Sequence, residues 1–279
     1  MSWKQFHFKC RFFLHKINEG STLQQAAQLF ETSDLNTLYS DQKLTGTQKE
    51  LFDKILQLTS INETKRALAL YSSINFSENL SSSNRYKNIL HKFAYLDTIT
   101  LVFVVFITIY QLFVYPVFFD LVTQYPKMAD STFSFLPSLW VLGIIIAALT
   151  LLCTFSCRKY IKNLDTLIVR LPSKLMTFIT PKKAVSEMVK LNKIINTPFK
   201  TYKVSDDFDK KIDALHQMGL DDALELSLLF VHHSEKLEFI IWQKAKRMVS
   251  VMYTIVTIAI AFYIVQIYDP IFKIGVIIE

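Results

Sequence analysis

The chain has 279 residues, 51% hydrophobic and 20% charged, with 31 Lys and Arg against 24 Asp and Glu for a net charge of +7. Only five glycines are present and none stands in a GxxxxGK[ST] setting, which excludes a phosphate loop and nucleotide hydrolysis by this chain alone. The basic excess collects beside long apolar runs, where anionic lipid headgroups account for it, so nucleic acid is not an expected partner.

In chain order, residues 1–95 read as an N-terminal cytosolic helical domain. Phe6, Phe8, Phe12, Phe13 and Leu14 are interrupted by Lys4, Lys9 and Arg11, which argues against a cleavable signal peptide. Gly20 ends the first helix, and Ser21 or Thr22 with Gln24 or Gln25 caps a second, whose apolar face is Leu23, Ala26, Ala27 and Phe30. Thr47 with Glu50 predicts another capping box ahead of Leu51, Ile55 and Leu58. The Ser- and Asn-rich stretch 75–84 predicts a turn, giving four short helices.

Three charge-free windows follow, at 99–119, 136–155 and 248–267, each about 20 residues and therefore long enough as a helix to cross a hydrocarbon core of roughly 30 Å. They predict transmembrane helices over 96–120, 136–157 and 246–269, with an external loop at 121–135 and a short external tail at 270–279. Arg85, Lys87 and Lys92 precede the first span, Arg158, Lys159, Lys162 and Arg170 follow the second, and Lys244, Lys246 and Arg247 precede the third. The loop between the first two spans has only Lys127 against Asp120 and Asp130, so the N-terminus is expected in the cytosol and the C-terminus outside.

Residues 158–245 read as a second cytosolic helical domain. Pro181 starts a helix with Ala184, Met188, Leu191 and Ile195 on one face, and Pro198 marks its end. Phe208, Ile212 and Leu215 form a further stripe. Gly219 then breaks the chain, and Asp221 caps a helix running through Leu224, Val231 and Leu237 into the third span. The predicted fold is all-α: a polytopic membrane protein with three transmembrane helices and two small cytosolic helical bundles arranged as a degenerate repeat.

The first and third spans close on similar signatures, Tyr115-Pro116-Val117-Phe118 and Tyr268-Asp269-Pro270-Ile271-Phe272. Each proline is expected to stop its helix where the headgroups begin, with Tyr115 and Tyr268 as interfacial anchors and Phe118 and Phe272 completing the two boundary motifs.

Residues with chemical potential read as structural. His232 and His233 are adjacent and point about 100° apart on a helix, a poor arrangement for sharing a metal, and are expected to be solvated or partner-facing. Cys153 and Cys157 share a helix face without a third ligand and read as packing residues. The acidic residues between Asp206 and Glu238 alternate with lysines as a solvated face does. Gln111 and Gln266 are the main polar side chains within the spans and are expected to hydrogen-bond between helices. No catalytic residue, cofactor or metal is expected. A thin polar path through Gln111, Thr150, Thr254, Thr257 and Gln266 is all that a transporter or channel subunit would have, and anchoring another complex is the remaining alternative.

Four segments resemble one family. They are the stretch from Leu14 to Ala26, Gly219-Leu220-Asp221-Asp222-Ala223-Leu224 ahead of the last span, Tyr115-Pro116-Val117-Phe118, and Ile267-Tyr268-Asp269-Pro270-Ile271-Phe272. Together with the order of helical domain, two spans, helical domain and span, they resemble the inner-membrane platform proteins of type II secretion systems and type IV pilus machines. The resemblance implies a non-enzymatic platform in the bacterial inner membrane. Its partners would be a cytosolic hexameric motor ATPase, pilin or pseudopilin subunits, other inner-membrane assembly proteins and the lipid bilayer, with self-association into a homo-oligomer. The candidate partner contacts are Asn18, Glu19 and Gly20 in the first block and Gly219, Asp221, Asp222 and Glu225 in the second.

Overall fold

The structure, a computed structural model, describes residues 3–35, 46–76, 84–124, 136–170, 180–199, 207–218 and 220–278, and every regular element among them is helical. The chain divides into two compact units. Unit 1 comprises Met1–Asn84 and Lys162–Ile241, and unit 2 comprises Arg85–Ile161 and Trp242–Glu279.

In unit 1, α1 (Lys4–Asn18) buries Phe6, Cys10, Phe13 and Ile17, the three- and four-residue spacing of one helical face. It ends at Gly20, whose φ of +93° only glycine adopts without strain. There the Gly20 N–H donates to the Ile17 carbonyl at 3.1 Å and the Ser21 N–H to the Lys16 carbonyl at 3.0 Å, the paired bonds of a Schellman motif. α2 (Leu23–Thr32) opens on a capping box: the Gln25 N–H donates to Thr22 Oγ1 at 3.3 Å and the Thr22 N–H to Gln25 Oε1 at 2.9 Å. Ala26 and Phe30 form its buried face, as the sequence pattern predicts.

α3 (Thr47–Leu56) corrects the expected second capping box. Gly46, at φ +55°, is the cap, Thr47 is already helical, and no side chain caps the helix. Glu50 faces another element instead and pairs with Arg170 at the end of α8 (Leu164–Arg170). α4 (Ile61–Ser73) packs along α1. α9 (Lys182–Asn196) buries Ala184, Met188, Leu191 and Ile195 on the expected face and passes into a 3₁₀ turn at Thr197–Phe199. α10 (Asp207–Gln217) follows, with Ile212 buried.

The core of unit 1 is aromatic. Phe76 stacks on Trp3 at 4.5 Å between centroids and meets Phe230 edge-on at 5.1 Å, while Phe6 meets Tyr71 edge-on at 5.6 Å. Residues from both halves of the sequence therefore share one core. Tyr71 also donates its hydroxyl proton to the Ile195 carbonyl at 2.7 Å, so its polar tip is satisfied at full burial.

His7 lies in this core. The Phe76 N–H donates to Nε2 at 3.3 Å, which makes that nitrogen the acceptor, so Nδ1 carries the proton and donates to the Tyr71 carbonyl at 2.9 Å. Burial lowers the pKa of His7 below its ordinary 6.5; the Tyr71 carbonyl opposes the shift and Arg11 adds to it. With the folded pKa depressed, the unfolded chain binds the extra proton first. The stabilisation is therefore complete above about pH 6.5 and is lost as pH falls through the lowered folded value. Thermal melts of the solubilised chain are expected to shift down between pH 7.5 and pH 5. His7→Gln, which cannot titrate, should flatten that pH dependence; an unchanged slope would exclude His7 as its source.

Unit 2 contains the apolar segments. α5 (Asn84–Ile109) runs into a π-helical turn at Tyr110–Val114 and then α6 (Tyr115–Gln124). α7 (Leu136–Lys162) follows, and α11 (Asp222–Ile278), an unbroken 57-residue helix, belongs to unit 1 as far as Ile241 and to unit 2 beyond it. Among the described residues, three helices are long and apolar enough to cross a membrane. They expose Val102, Val105, Leu112, Phe113, Leu149, Leu152 and Val265, an apolar surface that a bilayer solvates and water does not. Gly143 sits where α5 and α7 approach closely: a Cβ there would lie 3.0 Å from Ile107 Cδ1.

The two prolines do not stop their helices. α6 continues eight residues beyond Pro116 and α11 continues to Ile278 beyond Pro270. At the first site the physical reason is visible. The preceding turn is widened to π, with the Tyr115 N–H bonded to the Tyr110 carbonyl five residues back, and Pro116 then falls in the first turn of α6, where a missing N–H is tolerated.

Candidate functional site

The first candidate surface lies at the start of α11 in unit 1. Asp221 caps the helix, its Oδ1 accepting from the N–H groups of Ala223 at 3.1 Å and Leu224 at 3.2 Å. Asp222 pairs with Arg66 of α4, and the Ser73 hydroxyl reaches the Ala223 carbonyl at 3.5 Å. Asp222 is thus committed to folding. Glu225 is half-buried, and Gly219 lies outside the described residues. Asn18, Glu19 and Gly20 are exposed at the α1 corner, where Glu19 bonds locally to Lys16 at 2.7 Å and His15 at 3.0 Å. The Lys16 hydrogen bond holds the Glu19 carboxyl below its ordinary pKa. The bonds of Glu19 stay within its own corner and do not join it to the α11 segment.

What motif reading missed at the α11 start is apolar. Leu220, Leu224 and Leu228 recur every four residues and remain 52%, 51% and 55% exposed. Leu220 stands just ahead of α11, and Ala223, Leu226 and Phe230 form the buried face of that helix beside Leu224 and Leu228. The four-residue spacing was readable, but nothing in the sequence separates an outward leucine stripe from an inward one on a helix that is apolar on both.

Farther along α11 a shallow cleft of about 350 Å³ is lined by Glu187, His232, Glu235, Lys236, Phe239 and Ile240. His233 is not solvated as expected: its Nδ1 lies 2.6 Å from Glu187 Oε2, while Lys190 holds Glu187 Oε1 at 2.8 Å. Burial by itself would raise the Glu187 pKa, but the hydrogen bonds and charges of Lys190 and His233 outweigh it and lower the value. No nucleophile completes a triad among the residues lining this cleft, and no group of three metal-ligating side chains occurs among the described residues.

The second candidate surface is in unit 2. Tyr115 is half-buried and packs its ring near Phe119 at 6.1 Å, Pro116 is exposed, Phe118 is half-buried and Tyr268 is 52% exposed. Pro270 and Phe272 fall on the helical backbone of α11. Inside the bundle, Tyr110 and Tyr263 are each 4% exposed and meet edge-on at 6.0 Å, in a cluster with Phe103 and Ile107 that Trp140, Ile144 and Ala259 pack against. Tyr110 Oη, Tyr263 Oη and Trp140 Nε1 in this cluster, and Gln111 Oε1 on the π-turn, are buried with no hydrogen-bond partner among the described residues. The interhelical bond expected of Gln111 is therefore not made by this atom. Lower on α5, Asp97 accepts from the Thr154 hydroxyl at 2.6 Å and pairs with Arg158 Nη2 at 2.5 Å, tying α5 to α7.

No family model, curated protein or solved structure matches this chain.

Proposed function

We infer that the protein is a non-enzymatic, multi-pass membrane platform whose helical unit 1 engages a cytosolic motor ATPase and whose spans contact pilin-like subunits in the bilayer. The single observation that carries this reading is α11. Its first turns present exposed Leu224 and Leu228, with exposed Leu220 just ahead of the cap, and the same unbroken helix continues into an apolar stretch long enough to span a bilayer. A push delivered at the leucine stripe would pass along the helix axis without crossing a loop. The absence of a phosphate loop in the sequence is in keeping with energy arriving from a partner. The four motif resemblances add the class of machine, with the bacterial inner membrane as location and the N-terminus on the cytosolic side.

Deleting the gene and scoring surface filaments or secretion tests the reading directly, and normal filaments with the remaining machinery intact would overturn it. At the residue level, Leu224→Asp is expected to lower motor co-purification at least about tenfold, as loss of an interface anchor does. It should shift the melting temperature little, because Leu224 is 51% exposed. Undiminished co-purification would remove the leucine stripe from the interface.

A further inference from the structure

We propose that Tyr110, Gln111, Trp140 and Tyr263 form a water-binding site inside unit 2, at the level of the π-turn. Four shielded polar atoms on these residues have no partner among the described residues; Tyr110, Tyr263 and Trp140 share one cluster, both tyrosines being 4% exposed, and Gln111 follows Tyr110 in the π-turn. Leaving all four unbonded would forfeit a large share of the stability a folded unit has, so a partner is required.

The chemistry of the four atoms selects that partner. Two phenols both donate and accept, the indole donates and the amide oxygen accepts. None of the four residues carries a charge, so a charged ligand would find no counter-charge on them. Acyl chains offer no polar atom. A side chain arriving from another protein would have to reach atoms that the surrounding helices already shield from the surface. Water is the small neutral molecule that donates and accepts at once, and it needs two to four polar partners, which these residues supply.

The π-turn adds to the same site. The Tyr115 N–H goes to the Tyr110 carbonyl, and Pro116 has no N–H to offer the next carbonyl, that of Gln111. A backbone acceptor is thus released on Gln111, whose side-chain oxygen is itself shielded without a partner among the described residues. Widened turns of this kind recur at functional positions in helices.

The test has two arms, both on the full chain in lipid nanodiscs. In radiolytic footprinting of the unmodified protein, hydroxyl radicals formed from bound water oxidise the side chains it touches. Tyr110 and Tyr263 are expected to be labelled at least about threefold faster than Phe103, corrected for intrinsic reactivity, since bound water keeps contact with polar rather than apolar walls. Phe103 is the internal control because it is 5% exposed in the same cluster. In the second arm, Tyr263→Phe is expected to lower the melting temperature, because it removes a hydroxyl that water satisfies; an unsatisfied hydroxyl would give a rise. Labelling no faster than Phe103, or a melting temperature that rises or stays constant, overturns the proposal. The footprinting arm stands even if the variant fails to fold.

Discussion

Replacing Phe76 with Ala is expected to destabilise unit 1 by about 3–5 kcal/mol, the range for deleting a fully buried aromatic ring. The side chain is completely buried, stacks on Trp3, lies parallel to the His7 ring at 5.5 Å and meets Phe230 edge-on, so no neighbour is free to fill the space without abandoning another contact. Because Trp3 comes from the chain start and Phe230 from α11, the ring joins distant segments, and its loss should appear as a single cooperative shift of both. Denaturant unfolding of the solubilised chain, followed by Trp3 fluorescence with Trp140 and Trp242 replaced by Phe, measures it. A loss under about 1 kcal/mol would mean that the core collapses around the gap more completely than such sites do.

Asp97→Ala is the second large effect. The carboxylate receives the Thr154 hydroxyl and the Arg158 guanidinium, so its removal strands a cation and a hydroxyl between α5 and α7. Breaking a fully buried pair costs about 3–5 kcal/mol; with side chains 21% and 30% exposed, Asp97 and Arg158 should give about 2–3 kcal/mol. The paired substitution Asp97→Leu with Arg158→Met is expected to recover most of that loss, because neither charge is then left alone. If the double variant is as unstable as Asp97→Ala, the geometry of the pair, rather than the stranded charge, sets the cost. Melting temperatures of the four chains in nanodiscs decide between them.

The contrast between these two predictions shows what the sequence makes legible. Regular periodicity was readable: Ala26 with Phe30, and Ala184 with Met188, Leu191 and Ile195, bury the faces their spacing predicts. Local caps were readable where the cap and its reciprocal partner lie three residues apart, as at Thr22 and Gln25, or where the cap bonds the next turn, as at Asp221. The Thr47 and Glu50 pair has the same spacing, but Gly46 takes the cap position and Arg170, 120 residues away, claims the carboxylate. Long-range pairing of this kind has no local signature.

The same limit applies to the candidate sites. Asp222 reads as part of a solvated face because lysines intersperse the acidic run, and His233 as solvated or partner-facing because adjacent helical histidines diverge by about 100°, yet Arg66 and Glu187 engage them from other helices. The three apolar helices long enough to cross a membrane were legible, since length and composition alone define them, although the helices run beyond the predicted bounds. The behaviour of the prolines was not, because the response of a helix to proline depends on whether the preceding turn can widen, which is a property of backbone register rather than of residue type.

That widened turn also sets how the first apolar helix tolerates changes in length. A π-turn carries one residue more than the α-turn it replaces, so deleting Phe113, which is 69% exposed, keeps the faces of α5 and α6 aligned while placing Pro116 inside a continuous α-helix, at a cost of roughly 3 kcal/mol. Deleting Val102 in regular α5 instead swings the residues on one side of the gap by about 100° relative to the other, and the core-facing positions beyond it turn outward. Residues 110–114 are thus the stretch of this helix where the chain can lose a residue without rewriting which side chains face inward.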